Sequence, residues 1–205
     1  MKALVIGLTG PTGAGKSAVA ELLCSRGAGY IDCDLLAREV VQPGEPALAE
    51  LAAAFSGDVI RPDGTLDRAK LAELAFASSE GTATLNRITH PHIMARLRDN
   101  IAEKSREHAA VLVDAPTLFE SGADKLCDCI IAVVADRDLR LARITARDGI
   151  DMAAALRRIN AQPSDSFYTE RSDYTLVNGG DLAALAAQVD KIYDKLISER
   201  KNDNV

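Results

Sequence analysis

The chain has 205 residues, of which 47% are hydrophobic and 26% charged, with a net charge of −6. That length can bury a substantial core, as one α/β domain or as a domain with one insertion, and no low-complexity tract or repeat is visible. The acidic balance argues against a general nucleic-acid binder, which needs a basic surface against phosphates, and no apolar stretch is long enough to span a bilayer.

The first predicted element is a short apolar strand, Ala3–Leu8. Lys2 ahead of it gives a superficial likeness to a signal peptide. The apolar run is only a few residues long, however, and leads straight into the next motif, which cleavage would remove. A cytoplasmic protein is therefore expected. That next motif is Gly10-Pro11-Thr12-Gly13-Ala14-Gly15-Lys16-Ser17, a full G-x-x-x-x-G-K-[ST] phosphate loop. Helical spacing follows from Ser17 to Arg26, with Val19, Leu22 and Leu23 on one face and Gly27 as a stop. Strand, glycine loop and helix in that order give the motif its mechanism. The glycines let backbone N–H groups point at a phosphate, and the helix N-terminus adds partial positive charge. Lys16 supplies a point charge for the β- and γ-phosphates, and no other partner for it is evident in the sequence. The Ser17 hydroxyl is a ligand for Mg²⁺. The chain is expected to bind a nucleoside triphosphate.

A second strand, Gly29–Ile31, runs into Asp32-Cys33-Asp34. Carboxylates at the carboxyl edge of a parallel strand face the ligand crevice. If the strand persists, alternation puts Asp32 and Asp34 on similar sides. A kinase needs one carboxylate to take the proton of the attacking hydroxyl, and often a second to hold Mg²⁺ through water. Asp34 can equally be read as an N-cap, because Leu35 begins a helical run.

From Asp32 to about His108 the connection to the third strand is far longer than the roughly dozen residues a crossover requires. Its pattern is helical over Leu35–Val41, Pro46–Phe55, Asp67–Ser78 and from Pro91 to about Glu107. Turns are expected at Pro43-Gly44, Arg61-Pro62-Asp63-Gly64 and Glu80-Gly81. An insertion past the carboxyl end of a strand reads as a lid-like unit receiving a second substrate. Helices that merely enlarge the core remain the alternative.

The third strand, Ala110–Val113, ends in Asp114, which resembles the second phosphate-site motif whose Asp supports Mg²⁺. Ala115 follows, not a Glu that could polarise water, which weighs against an ATPase motor. Asn178-Gly179-Gly180-Asp181 fails the guanine-reading signature at its second position, so transfer to a small acceptor is favoured over a GTPase. After a fourth strand, Ile130–Ala135, come Arg137, Arg140, Arg143, Arg147, Arg157 and Arg158. On a helix, 140, 143 and 147 share a face. Arginine grips phosphate with two parallel bonds, although Asp136, Asp138, Asp148 and Asp151 could instead pair with them at the surface. The fifth strand is Tyr174–Val177. A last helix, capped by Asp181, carries a stripe of Leu182, Leu185, Val189, Ile192 and Leu196. All of these strands but the second are nearly continuous apolar runs, and with helices between them they argue for a doubly wound parallel sheet.

Four cysteines, Cys24, Cys33, Cys127 and Cys129, offer no disulfide framework. Cys127 and Cys129 lack the gap of a zinc knuckle, and Cys24 and Cys129 read as small core residues. His90-Pro91-His92 could join a metal set only weakly.

Over essentially its whole length the chain resembles the dephospho-CoA kinase family. The match rests on Leu8-Thr9-Gly10 entering the loop, on Ile31-Asp32-Cys33-Asp34 with Ala37-Arg38, and on Pro43-Gly44 with Pro46-Ala47. It continues through His90-Pro91, Asp114-Ala115-Pro116-Thr117-Leu118-Phe119-Glu120 and Arg143-x-x-x-Arg147-Asp148. Arg158-Ile159-x-x-Gln162, Ser172-Asp173-Tyr174 and Asn178-x-Gly180 complete it. Thr12 stands where the family usually has an aliphatic residue, Thr117 where it has a leucine, and Tyr168 where Lys or Arg is more usual.

The resemblance implies transfer of the ATP γ-phosphate to the ribose 3′-hydroxyl of dephospho-CoA, the last step of coenzyme A biosynthesis, with Mg²⁺. It implies a P-loop fold with a five-stranded parallel sheet, whose core is 1–34 and 109–205. A helical acceptor insertion would occupy 35–108 and an Arg-rich lid about 137–162. It implies Asp34 as base and Gly13, Ala14, Gly15, Lys16, Ser17 and Ala18 as nucleotide-binding residues, with Arg147. Arg143 would stabilise charge from the lid. Asp32 would join the catalytic set, and Ser17, Asp32 and Asp114 would support the metal. His90, Phe119 and Glu120 would shape the acceptor side beside Asp34. A kinase for nucleoside monophosphates and a nucleotide-dependent switch without phosphoryl transfer remain alternatives on the residues alone. The paired aspartates and arginine run disfavour the switch, which needs no base.

Overall fold

The computed structural model describes residues 3–202, so Lys2 lies outside the described residues. Within them the chain forms two compact units. One is built from the chain up to Ile31 and from Ile101 onward, the other from Asp32–Asn100.

The first unit holds a five-stranded parallel sheet in the order β2-β3-β1-β4-β5. Its strands are β1 (Leu4–Thr9), β2 (Gly29–Asp32), β3 (Ala110–Asp114), β4 (Cys129–Val134) and β5 (Tyr174–Val177). Every residue of β1 and β3 is buried. Both faces of the sheet are covered, so alternation along β1 sends Leu4, Ile6 and Leu8 to one packed face while Val5 is equally buried on the other. On the first face α1 (Lys16–Ser25) and α9 (Leu182–Asn202) close the core through Val19, Leu23, Leu185 and Val189. Asp181 caps α9 by accepting from the N–H groups of Ala183 and Ala184. Of the expected stripe, Leu182 is exposed, because it precedes the first turn that meets the sheet. Register sets Leu8 beside Asp114, which places the end of β3 next to the loop that leaves β1.

After β4, α6 (Arg137–Asp148) and α7 (Met152–Asn160) pack on each other through Ile144, Ala155 and Ile159. The short α8 (Asp165–Thr169) follows. Asp136 and Asp151, read from sequence as partners for arginine, are instead the N-caps of α6 and α7. Tyr168 is only 1% exposed and packs edge-on against Phe167, so its position is filled by a core residue.

The second unit is helical, with α2 (Cys33–Glu39), α3 (Pro46–Ala54), α4 (Arg68–Ala75) and the beginning of α5 (Ser79–Lys104); Val40 and Val41, just past α2, join residues of α3, α4 and α5 in one apolar cluster. Three sequence expectations fail here. The Glu80-Gly81 pair lies inside α5, not in a turn. Ser78 accepts from the Gly81 N–H as a cap, and a Cβ on Gly81 would stand 2.6 Å from the carbonyl oxygen of Ala75. The glycine thus permits close approach of two helices. Pro91, expected to open a helix, stands in the interior of α5. The ring removes one backbone donor, but Ile88 and Leu97 on either side are buried and hold the helix in place. The helix expected over 67–78 ends earlier, since Asp67 caps it and Phe76 closes it.

Candidate active site

The phosphate loop is shaped by what surrounds it. Gly10 has φ 141°, and a Cβ there would meet the Val133 carbonyl oxygen at 2.2 Å. Gly15 has φ 98°, and its Cβ would meet the Asn178 amide nitrogen at 2.1 Å. Only glycine can take these backbone angles and these distances.

The carbonyls of the loop are held from outside by side chains. Arg140 donates through Nε to the Thr12 oxygen at 3.0 Å. Arg143 donates to the oxygens of Gly13 and Ala14 at 3.2 and 3.3 Å. The Asn178 amide donates to the Ala14 oxygen at 2.9 Å. In a trans peptide the C=O of one residue and the N–H of the next point in opposite directions. Turning the Thr12 and Ala14 carbonyls outward therefore turns the Gly13 and Gly15 N–H groups inward, toward the place a phosphate occupies. The N–H groups of the first turn of α1 add to them, since they have no partner within the helix. The Thr12 N–H is itself held by Gln162 Oε1 at 2.8 Å.

Inside this frame Lys16 Nζ lies 3.8 Å from Asp114 Oδ1. Asp114 Oδ2 accepts from the Tyr30 hydroxyl at 3.1 Å. Lys16 therefore has a protein partner, contrary to the expectation that phosphate alone would meet it: β1 and β3 are adjacent, and their parallel register brings the loop beside Asp114. Ser17 is exposed at the start of α1, with Ala18 partly buried behind it.

The arginine run divides. Arg140 is 5% exposed and pairs with Asp165 at 2.9 Å, which makes it a buried tie between α6, α8 and the loop. Arg143 is drawn onto the loop and onto Asn178 Oδ1, 3.0 Å away. Arg147 makes a two-point contact with Asp148 at 2.7 and 3.0 Å, and Arg158 joins the same carboxylate. The hydrogen bonds from Arg147 hold the Asp148 carboxyl below its usual range. Arg137 reaches Asn160 at 2.8 Å. Phe119 packs edge-on against Phe167, with ring centres 5.8 Å apart, and Glu120 is exposed.

The extended strand does not persist as far as Asp34. The strand ends at Asp32, whose Oδ1 accepts from the N–H groups of Asp34 and Leu35 at 2.8 and 3.1 Å. Asp32 is thus the N-cap of α2, a role the sequence reading offered to Asp34. Asp34 lies in the first helical turn, exposed, with its carboxylate outside the cap. His90 is half-buried on α5.

Sequence reasoning did not single out Asn178, Gln162, Asp165 or Tyr30 as site residues. Gln162 stands only within a family motif, and Asn178 within one and within the failed guanine-reading signature. Their contacts join positions up to 164 residues apart, which no local spacing reports.

A five-stranded parallel sheet with a G-x-x-x-x-G-K-[ST] loop between β1 and α1 defines a P-loop kinase fold. The sequence profile described as Dephospho-CoA kinase matches residues 4–184, and the chain belongs to that family. It is 41% identical to a dephospho-CoA kinase of Corynebacterium efficiens over 97% of this chain and 100% of the relative. It is 45% identical to one of Corynebacterium jeikeium over 94% of this chain and 100% of the relative. Among solved structures, a dephospho-CoA kinase from Campylobacter jejuni superposes with a TM-score of 0.72 at 25% identity, covering 96% and 98% of the two chains.

Proposed function

We propose that the protein transfers the γ-phosphoryl group of ATP to the ribose 3′-hydroxyl of dephospho-CoA, releasing ADP and CoA, in the cytoplasm and with Mg²⁺. The observation that carries this reading is a phosphate loop with its carbonyls tied outward, in a chain matched by the family profile over residues 4–184. Among the described residues no helix is long and apolar enough to cross a membrane.

Gly13, Ala14, Gly15 and Ala18 receive the triphosphate with the Lys16 ammonium, which moves its charge from Asp114 alone to the β- and γ-phosphates. Asp34 accepts the proton of the 3′-hydroxyl as its oxygen forms the new bond to phosphorus. The bond from phosphorus to the bridging oxygen breaks, and the electron pair leaves on ADP. Arg143, already against the loop, offsets charge developing on the transferred group, and Arg147 supports the nucleotide. His90, Phe119 and Glu120 shape the acceptor side.

The donor chemistry suits a hard divalent cation, since Ser17 brings a hydroxyl and Asp114 and Asp32 bring carboxylate oxygens. Asp32 would contribute Oδ2, as Oδ1 is used by the cap. When bound, Mg²⁺ neutralises charge on the β- and γ-phosphate oxygens.

A coupled assay of ATP consumption across a panel of acceptors, with the product identified by mass and by sensitivity to a 3′-nucleotidase, tests the reading. Phosphorylation of dephospho-CoA at the 3′ position is expected. Formation of a 5′-diphosphate from AMP as the better reaction would replace this function with nucleoside monophosphate kinase activity.

A further inference from the structure

Asn178 lies beyond the last residue of β5, is 5% exposed, and uses its side chain for neither strand nor helix. Its backbone N–H continues the ladder by donating to the Val134 oxygen at 2.8 Å, so its position is set by the sheet. Its side chain uses both ends. The Nδ2 group donates to the Ala14 oxygen at 2.9 Å, while Oδ1 accepts from Arg143 at 3.0 Å and from the Gly180 N–H at 3.2 Å.

We infer that Asn178 is a positioning residue for phosphoryl transfer, acting through two groups it holds at once: the peptide that aims the Gly15 N–H, and the guanidinium of Arg143. Three features support the assignment. An amide suits the position, because one end must donate to a carbonyl and the other accept from an arginine; a carboxylate has no donor, and a hydroxyl carries donor and acceptor on a single atom that cannot reach both partners. The contact is built tightly, since the space a Gly15 Cβ would need is occupied by the Asn178 nitrogen. Finally, buried polar groups held by a complete network fix orientation, and small displacements of reacting groups are costly in rate.

Two substitutions separate positioning from folding. Asn178→Ala removes both ends of the amide. Asn178→Asp keeps the size and the acceptor for Arg143 and Gly180, but loses the donor to Ala14 and turns a carboxylate toward its carbonyl. Three quantities are measured for each: melting temperature, affinity for ADP without acceptor, and kcat and KM for both substrates. The expected result is a folded protein in which ADP affinity falls by at least about 10-fold and kcat/KM for ATP by about 10²-fold, with KM for dephospho-CoA within about twofold. Adding Arg143→Ala to Asn178→Ala should cost much less than Arg143→Ala alone, because the two act as a unit.

Native ADP affinity in both folded variants, or additive losses in the double variant, would overturn the assignment. Failure of both variants to fold would assign the amide to stability and overturn it as well. The rate readout rests on the kinase reading, but the ADP readout does not. Wild-type protein that binds ADP and leaves dephospho-CoA untouched would sink the proposed function alone.

Discussion

Lys16 carries its ammonium 3.8 Å from Oδ1 of Asp114, the last residue of β3, and both side chains are mostly shielded from solvent. The phosphate-binding charge is therefore balanced inside the protein before any nucleotide arrives. Opposite charges so placed hold each other in position, and removing one takes away part of what compensates the other.

Lys16→Ala is accordingly expected to abolish turnover and also to lower stability, by about 1 kcal/mol for the lost charge pairing with Asp114. Adding Asp114→Asn should recover most of the melting temperature without recovering turnover. A single variant with wild-type stability would show that the pair contributes nothing to the fold.

Asp34→Asn should lower kcat by roughly 10²–10⁴-fold, the range for loss of a general base, at unchanged melting temperature because Asp34 is exposed. Asp32 permits a sharper separation. Asn caps a helix about as well as Asp, whereas Ala costs about 1 kcal/mol. Asp32→Ala should therefore destabilise the protein, while Asp32→Asn keeps the melting temperature and weakens the dependence of rate on Mg²⁺. An Asp32→Asn variant with native Mg²⁺ dependence reduces Asp32 to its capping role.

For Arg143→Ala, a rate loss reaching about 10³-fold is expected, the lower bound for an arginine that stabilises transition-state charge. Arg137→Ala, whose guanidinium reaches only as far as Asn160 at an exposed site, should leave the rate nearly unchanged. Small and equal effects would leave Arg143 a structural tie to the loop with no part in stabilising the transferred charge.

The acceptor should be chosen by its full length. Dephospho-CoA is expected to exceed AMP and adenosine in kcat/KM by at least about 10²-fold, or roughly 2.7 kcal/mol of transition-state discrimination. The reason is that binding energy from its remote pantetheine arm orients the hydroxyl. Parallel initial-rate measurements on the three acceptors decide it.

Alkaline pH should expose a structural cysteine. Burial, with smaller contributions from Asp173 and Asp128, pushes the Cys129 thiol from 9.0 up to about 12. The folded state thus keeps a proton that the unfolded chain loses earlier. The resulting stability is fully present below pH 9 and is lost as pH rises toward 12. Unfolding titrations of wild type and Cys129→Ala should diverge below that window and converge through it.

The sequence is legible where the physics is local. The strands fall within about a residue of their observed ends, and for the inner strands β1, β3 and β4 the reason is that a parallel strand covered on both faces is nearly continuously apolar. Likewise the loop motif was legible as soon as it was seen between a strand and a helix. Reading failed where a neighbour in space decides. Pro91 and Gly81 look like breaks, yet lie inside α5, where buried Ile88 and Leu97 and the approach to Ala75 outweigh local preference. Asp32 and Asp34 were separated in role only by the point at which β2 ends and α2 begins.

By itself, then, the sequence determined a nucleotide-binding α/β protein and the residue types its chemistry needs, since period, glycine spacing and charge are properties of neighbours along the chain. Only the tertiary structure decided which arginines hold the loop, that Lys16 is matched by Asp114, and that Asn178 reaches Ala14 across 164 residues. Those contacts depend on strand order and register, and no local spacing encodes which strand lies beside which.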